Sequence, residues 1–177
     1  MLFRSFLMKI VLIGPPASGK SSVGRRLAAL MQTSFVDSDA KISDIEGRTV
    51  SEIFVDSGEE YFREIESKVV LDLLEASSGV ISLGGGSILD QNVCAKIREL
   101  KEENLIVFLD VSLNQASSRI GLNRDRPLLL NNPRAQWMQL MERRRPIYDS
   151  LASCTFLTDN MKPNEVAEQI LERIKHD

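Results

Sequence analysis

The chain has 177 residues, of which 43% are apolar and 27% charged, and its formal net charge is −3. This length and balance are typical of one folded domain, and they do not favour binding to nucleic acid or an anionic membrane through net charge. The one histidine, His176, lies next to the C-terminal residue, which argues strongly against a buried histidine base. A carboxylate is therefore expected to accept any proton.

The sequence carries no pattern expected of a secreted or membrane-spanning protein. No apolar run approaches the length of about 18 residues that a spanning helix needs. Residues 1–7 are apolar but continue into the first predicted strand without a cleavage-site pattern, so no signal peptide is expected, and Met8 is a candidate alternative start. Cys94 and Cys154 are isolated cysteines, which predicts free thiols and a reducing cytoplasmic location.

The predicted elements alternate between short apolar strands and helices. Strands are predicted at 9–13, 33–36, 80–83, 105–109 and 152–157. Helices are predicted at 22–31, 40–46, 59–76 with an earlier start at a Thr49 capping box, 90–101, 112–120, 135–145 ending before Pro146, and 163–175. Residues 121–133 lack periodicity and are predicted to form a loop. This alternation predicts an α/β protein with five parallel strands covered by helices on both faces, whose ligand lies beyond the carboxyl ends of the strands.

A glycine-bounded loop directly follows the first predicted strand. It reads Gly-Pro-Pro-Ala-Ser-Gly-Lys-Ser at 14–21 and leads into a helix, which is the strand–GxxxxGK[ST]–helix pattern of a phosphate-binding loop. Gly14 and Gly19 let backbone N–H groups point inward, and the helix N-terminus adds partial positive charge. Lys20 can reach the β- and γ-phosphates, and the Ser21 hydroxyl can ligate Mg²⁺. The sequence therefore predicts a nucleotide-binding loop.

Two aspartates, Asp37 and Asp39, lie at the end of the second predicted strand. On an extended backbone, residues two apart point the same way. One carboxylate would then support Mg²⁺ while the other accepts a hydrogen bond from an alcohol, as phosphoryl transfer to an alcohol requires. The alternative is that both are ordinary turn or N-cap residues.

Six motifs, occurring in order, resemble those of the shikimate kinase family over residues 9–175. They are GPPASGKS at 14–21, FVDSD at 35–39, YFREIE at 61–66, LGGG at 83–86, RDRPLL at 124–129 and RRPIY at 144–148. The resemblance implies a three-layer αβα P-loop kinase fold in one domain, 1–177, with a mobile lid at about 121–133 and a shikimate-binding helical segment at about 39–66. It also implies transfer of the γ-phosphoryl group of ATP to the 3-hydroxyl of shikimate, in the route to chorismate and the aromatic amino acids.

The resemblance assigns an ATP and Mg²⁺ site. The residues assigned to ATP are Gly14, Ala17, Ser18, Gly19, Lys20, Ser21, Ser22, Arg119, Arg126 and Pro163. Ser21 ligates the metal, and Asp37 supports it, usually through water. Ala17 departs from the family, which commonly has glycine there; it is expected either to keep a negative φ or to carry strain.

Three of these ATP residues match the family's lid and adenine contacts. Arg126 matches the lid arginine that closes over the γ-phosphate, and closure excludes water that would otherwise accept the phosphoryl group. Arg119 matches the arginine that stacks on adenine, and Pro163 lies where a C-terminal loop flanks the base. Taken alone, 121–133 would be interpreted as a polar surface loop.

The shikimate site implied by the resemblance combines charged side chains with a glycine loop. Its members are Asp39, Arg63, Glu66, Gly84, Gly85, Gly86 and Arg144. Asp39 binds the ring hydroxyls and is the expected base, so the implied catalytic residues are Lys20, Asp39 and Arg126. The two arginines bind the carboxylate of shikimate, which suits a planar, bidentate partner.

Each of these assignments has a simpler alternative. Glu66 is expected to orient Arg63 from one helical turn away, but Arg63 alone would be interpreted as a solvated helix-face charge. Residues 84–86 alone would be a flexible turn, although Gly85 and Gly86 bind substrate in the family. Arg145 lies beside Arg144 and is expected on the surface, with a one-residue misassignment between the two left open.

Three other functions are alternatives to shikimate phosphorylation. A gluconate-type or nucleoside monophosphate kinase shares the phosphate loop and lid but does not require the triple glycine with Phe-Arg-x-x-Glu. A nucleotide-binding regulatory module would be expected to have lost Asp39 or a carboxylate-binding arginine. A nucleic-acid-dependent NTPase is disfavoured by the net charge. We expect a monomer that acts on shikimate and ATP, without nucleic-acid or membrane partners.

Overall fold

Five parallel strands form the centre of the molecule. The structure, a computed structural model, describes residues 8–121 and 132–176. The strands are β1 (Ile10–Ile13), β2 (Phe35–Asp37), β3 (Val80–Ser82), β4 (Leu105–Asp110) and β5 (Cys154–Leu157), in the spatial order β2-β3-β1-β4-β5. Every neighbouring pair is parallel. The predicted five-stranded parallel sheet is thereby confirmed.

Helices connect consecutive strands. They are α1 (Lys20–Met31), α2 (Ser38–Glu46), α3 (Val50–Ala76), α4 (Gln91–Leu100), α5 (Leu113–Gly121), α6 (Pro133–Leu151) and α7 (Pro163–His176), with a short 3₁₀ turn at Ser87–Leu89. The predicted capping box at the start of α3 is present, since Thr49 and Glu52 satisfy each other's backbone N–H groups. Gly58 has non-helical torsions (φ 85°, ψ 169°), so α3 bends there.

The sheet has a separate hydrophobic core on each face. On one face, Leu12 and Val107 of the strands form a cluster with residues of α1 and α7, such as Leu27 and Ile170. On the other, residues such as Phe108 pack against α3, α4 and α6. Because alternate strand residues point to opposite faces, both faces of β1 and β4 are apolar, and three layers result. Among the described residues no helix is both long and apolar enough to cross a bilayer, and Cys94 and Cys154 are free thiols.

The prediction that a helix ends before Pro146 is wrong. Helix α6 continues through Pro146 to Leu151. A proline in a helix interior costs about 3 kcal/mol, because it lacks the N–H that would bond the carbonyl four residues earlier. Pro146 faces solvent, and Tyr148 and Leu151 beyond it are fully buried. Burial of two large side chains, at about 1.5–3 kcal/mol each, offsets the cost.

Candidate active site

A cavity of about 620 Å³ opens at the carboxyl ends of β1, β2 and β3. This volume is in the usual range for small-molecule sites. Of the predicted site residues, those lining it are Ala17, Gly19, Lys20, Ser21, Ser22, Asp37, Asp39, Arg63, Glu66, Gly84, Gly85, Gly86, Arg119 and Arg144. Six of the ten predicted nucleotide residues and all seven predicted acceptor residues therefore line one cavity.

The phosphate loop wraps the start of α1. Gly14 has φ 150°, and a side chain there would place its Cβ 2.3 Å from the carbonyl oxygen of Leu109, so only glycine fits. The ammonium group of Lys20 donates to the carbonyl oxygens of Gly14 (2.8 Å) and Pro15 (2.9 Å). The lysine thus lies across its own loop, at the N-terminus of α1, where partial positive charge already favours an anion.

Three predicted nucleotide residues, Gly14, Ser18 and Pro163, are described but do not line the cavity, and a fourth lies outside the described residues. Ser18 is fully buried under the loop, 3.4 Å from the ammonium group of Lys20. Pro163 is the first residue of α7 and is absent from the cavity lining. Arg126, like most of the predicted lid at 121–133, falls outside the described residues.

Ala17 takes the strained alternative. Its φ is 67°, in the left-handed region that L-residues seldom adopt. Its carbonyl oxygen accepts a hydrogen bond of 2.9 Å from Arg119 of α5, which also donates to Thr158 at 2.8 and 3.1 Å. Trp137 of α6 donates to the neighbouring Pro16 carbonyl at 3.4 Å. Arg119 and Trp137, which come before and after residues 122–131 in the chain, thus both hydrogen-bond to the backbone of the phosphate loop.

The two aspartates lie on different elements. Asp37 ends β2 and caps α2, accepting from the N–H groups of Asp39 (3.1 Å) and Ala40 (3.2 Å). Its second oxygen accepts a hydrogen bond of 2.5 Å from the Ser21 hydroxyl. The prediction that both aspartates project from an extended backbone is wrong, because this cap makes Asp39 the second residue of α2. The N-cap alternative therefore holds for Asp37 and not for Asp39, and both side chains line the cavity.

Arg63 and Glu66 form a partly buried ion pair on α3. The guanidinium donates to Glu66, and the side chains are 24% and 3% exposed. The other carboxylate oxygen of Glu66 accepts 3.0 Å from the Ser87 hydroxyl. Arg63 is therefore not a solvated surface charge; its position is determined by a buried carboxylate whose two oxygens both have partners.

The triple glycine at 84–86 is held in place by contacts with neighbouring residues. The N–H of Gly84 donates 2.8 Å to the hydroxyl of the fully buried Ser38. A Cβ on Gly86 would lie 2.2 Å from a guanidinium nitrogen of Arg63, so the guanidinium packs directly on this backbone. Within the described residues, no acceptor is recorded for the N–H groups of Gly85 and Gly86. The loop is ordered by its neighbours and offers two N–H groups at the cavity.

The structure separates Arg144 from Arg145. Arg144 lines the cavity. Arg145 makes a bidentate pair with Asp110 at 2.7 and 2.8 Å, and these hydrogen bonds raise the pKa of its guanidinium. Its side chain is 43% exposed. Of the two candidates for a carboxylate ligand, Arg144 lines this cavity and Arg145 does not.

Sequence reasoning missed several residues that build the cavity. Phe54 and Phe62 form an apolar wall beside Arg63, whose guanidinium lies 6.0 and 5.3 Å from their ring centroids. Tyr148 donates a hydrogen bond of 2.6 Å to the Gly85 carbonyl. Phe62 and Tyr148 belong to the motifs YFREIE and RRPIY. The presence of an aromatic residue inside a charged motif could have indicated that these two side chains help to build the site.

Comparisons with known proteins agree on one family. The family model for shikimate kinase matches residues 16–175. A shikimate kinase of Rhodococcus erythropolis is 43% identical over 94% of this chain and 97% of its own length, and that of Thermobifida fusca is 44% identical over 93% of each. The structure of shikimate kinase from Acinetobacter baumannii in complex with shikimate superposes with a TM-score of 0.91 at 31% identity, covering 99% of this chain and 97% of that one.

Proposed function

Because the chain belongs to the shikimate kinase family, we propose that its cavity holds ATP and shikimate together and that the γ-phosphoryl group passes to the 3-hydroxyl of shikimate. The observation that carries this proposal is that Lys20 and Ser21 line the same cavity as Arg63 and Arg144. A phosphate loop and two guanidinium groups in one cavity suit an anionic acceptor next to a nucleotide. The products are shikimate 3-phosphate and ADP, as chorismate and aromatic amino acid synthesis require.

ATP is bound by the loop and its surroundings. The nucleotide residues are Gly14, Ala17, Ser18, Gly19, Lys20, Ser21, Ser22, Arg119, Arg126 and Pro163. The phosphates replace the loop carbonyls as partners of the Lys20 ammonium group, since a charged acceptor makes the stronger hydrogen bond. Arg119 stacks on adenine, and Pro163 flanks the base.

Ser21 and Asp37 would hold Mg²⁺ with the phosphates. Their oxygens lie 2.5 Å apart in the cavity, and hard oxygen donors are the ligands that Mg²⁺ prefers. Within the described residues no cluster of three His, Cys, Asp or Glu side chains is found. This fits Mg²⁺, which usually takes one or two protein ligands and completes its shell with phosphates and waters. When bound, the ion neutralises charge on the β- and γ-phosphates.

Shikimate is held by its carboxylate and its hydroxyls. Arg63, oriented by Glu66, and Arg144 bind the carboxylate. The N–H groups of Gly85 and Gly86 bind ring hydroxyls. The N–H of Gly84 already donates to Ser38, so Gly84 contributes close backbone approach instead.

Asp39 positions and deprotonates the attacking hydroxyl. The 3-hydroxyl oxygen forms a bond to the γ-phosphorus as the bond from that phosphorus to the β-phosphate oxygen breaks. The hydroxyl proton passes to the Asp39 carboxylate, and ADP leaves. Lys20 and the lid residue Arg126 stabilise the charge that spreads over the transferred group, while lid closure excludes water.

We further propose a monomer that works in the cytoplasm on these two small molecules, without nucleic acid or membrane as a partner. The net charge of −3 supports this. The described surface includes single exposed apolar side chains, such as Val55 and Ile45, which are normal for a monomer.

The direct test is ADP release from Mg²⁺·ATP with shikimate, gluconate, AMP or no acceptor. The proposal predicts strong stimulation by shikimate alone. Stimulation by gluconate or AMP alone would still support the assignment of the phosphate loop, but it would contradict the assignment of the acceptor site to shikimate. ATP binding without turnover on any acceptor would favour a regulatory module.

A further inference from the structure

Tyr148 links α6 to the glycine loop at the bottom of the cavity. Its hydroxyl donates a hydrogen bond of 2.6 Å to the carbonyl oxygen of Gly85, 63 residues earlier in the chain. The side chain is fully buried, and its ring stacks on Phe108 of β4 with the centroids 5.0 Å apart. The hydroxyl is therefore held at one place relative to the sheet.

The hydroxyl of Tyr148 is a permanent donor at neutral pH. Burial raises the pKa of Tyr148 to about 12, against an opposing effect from the guanidinium of Arg144. Glu66 and Arg63 are the other charged groups that act on it, in opposite senses. Since the phenol keeps its proton, its O–H donates to the carbonyl of Gly85 across the physiological range, while its oxygen accepts a hydrogen bond from the guanidinium of Arg144.

The carbonyl of Gly85 and the N–H of Gly86 belong to one peptide unit. The structure contains no cis peptide bond among the described residues, and in a trans peptide C=O and N–H point in opposite directions. A carbonyl fixed toward Tyr148 therefore fixes the N–H of Gly86 away from it. A peptide between two glycines flips more easily than any other, because neither residue has a Cβ.

The other polar groups of this loop are held by different means. The carbonyls of Gly84 and Gly86 accept from the backbone N–H groups of Ser87 (3.1 Å) and Leu89 (3.0 Å). The carbonyl of Gly85 depends on a side chain, so one substitution removes its partner without touching the rest of the loop.

We propose that Tyr148 is a positioning residue for the acceptor site: its hydroxyl holds the peptide between Gly85 and Gly86 so that the Gly86 N–H is presented to a ring hydroxyl of shikimate. This rests on the proposed function of the cavity. Tyr148 does not touch the substrate; it acts through the backbone of the glycine loop.

The test is Tyr148→Phe, which keeps the ring and removes the hydroxyl. The expected result is a rise in the KM for shikimate of about tenfold, since one orienting hydrogen bond is lost. kcat should stay within about twofold and the KM for ATP should not change, because the loss falls on acceptor binding. Circular dichroism and the melting temperature check that the variant is folded.

Two control variants make the interpretation specific. Leu151→Val removes one buried methylene from α6, three residues or about one helical turn beyond Tyr148. It is expected to destabilise the same helix without removing the hydroxyl that bonds the glycine loop. Tyr61→Phe alters the other tyrosine of the sequence, whose hydroxyl contacts the Glu46 carboxylate at 3.2 Å. Neither should change the KM for shikimate.

The outcomes separate this proposal from the function on which it rests. An unchanged KM for shikimate in folded Tyr148→Phe would overturn it, as would parallel rises for ATP and shikimate or an equal rise in Leu151→Val. All three would leave a shikimate kinase in place. A wild-type protein that does not phosphorylate shikimate would overturn both.

A measurement on the wild-type side chain covers the case in which Tyr148→Phe does not fold. Protein labelled with 3-fluorotyrosine gives one ¹⁹F resonance for each of its two tyrosines, and Tyr61→Phe assigns them. Shikimate should shift the Tyr148 resonance at saturation, and ADP alone should not. Absence of a shift with shikimate bound would contradict the proposal.

Discussion

The two walls of the cavity are built in opposite ways. The phosphate-binding part of the nucleotide wall is one continuous stretch, residues 14–21, whose chemistry is mostly backbone N–H groups and a helix N-terminus. The acceptor wall draws on α2, α3, the glycine loop and α6, elements that come together only when the sheet is formed. A local motif specifies the first, and long-range packing specifies the second.

The walls also differ in how they manage charge before a ligand arrives. Lys20 contacts neutral carbonyls of its own loop, which a phosphate displaces readily. Arg63 is already paired with the buried carboxylate of Glu66, so its orientation is set in advance. Substitutions in the first wall should therefore reduce turnover, and those in the second should mainly weaken shikimate binding.

The largest expected effect is on the nucleotide wall. Lys20→Met removes the cation proposed to contact the transferred phosphoryl group and should reduce kcat by at least about a hundredfold. Lys41→Met, at an exposed position of α2, is the matched control and should leave kcat unchanged. Steady-state ADP release measures both, and a Lys20→Met enzyme with near-wild-type turnover would contradict the assignment.

Asp39 is the exception that joins the two walls. It lies on the acceptor side, and in the proposed mechanism it acts in the chemical step. Asp39→Asn should therefore reduce kcat by at least about a hundredfold while shikimate still binds. Asp44→Asn on the exposed side of the same helix is the control. If folded Asp39→Asn retained normal turnover, Asp39 would have no part in the mechanism.

The adjacent arginines of α6 test the acceptor wall. Arg144→Ala should raise the KM for shikimate by roughly tenfold to a hundredfold, the loss expected for a charge-assisted pair, with the KM for ATP unchanged. Arg145→Ala should leave both constants unchanged. It should lower the free energy of unfolding by about 0.5–1 kcal/mol, since its pair with Asp110 is partly exposed and screened by water. A reversed pattern would move the carboxylate ligand to Arg145.

The smallest effect concerns strain in the nucleotide wall. Ala17→Gly relieves a φ of 67°, worth about 1–2 kcal/mol, but frees the unfolded chain by about 0.4–1 kcal/mol. The net expectation is a gain in unfolding free energy of about 0.5–1 kcal/mol, measured by urea denaturation. Ala29→Gly, exposed in α1, should lose about 1 kcal/mol. A loss in both would mean that Ala17 is not strained.

The same contrast explains what the sequence could predict. The phosphate loop and the five strands follow from local apolar runs and glycine spacing, and the structure contains all of them. The course of α6 through Pro146 depends on the burial of Tyr148 and Leu151, which local proline rules ignore. The placement of Asp39 on α2 depends on the capping geometry of Asp37.

Long-range contacts account for the rest. Tyr148 meets Gly85 across 63 residues, and Trp137 meets Pro16 across 121. No pattern in the chain encodes such pairs, because they arise from the order of strands in the sheet. The resemblance to family motifs predicted which residues form the acceptor site, but it did not predict these two contacts.

In the proposed reaction, the γ-phosphoryl group passes from ATP to one hydroxyl of shikimate within a single cavity. The most direct measurement is ³¹P–¹H correlation NMR of the products from Mg²⁺·ATP and shikimate. The expected products are ADP and a single phosphomonoester whose phosphorus couples to the proton on carbon 3 of shikimate. Free phosphate with unchanged shikimate, or a phosphate on another hydroxyl, would contradict it.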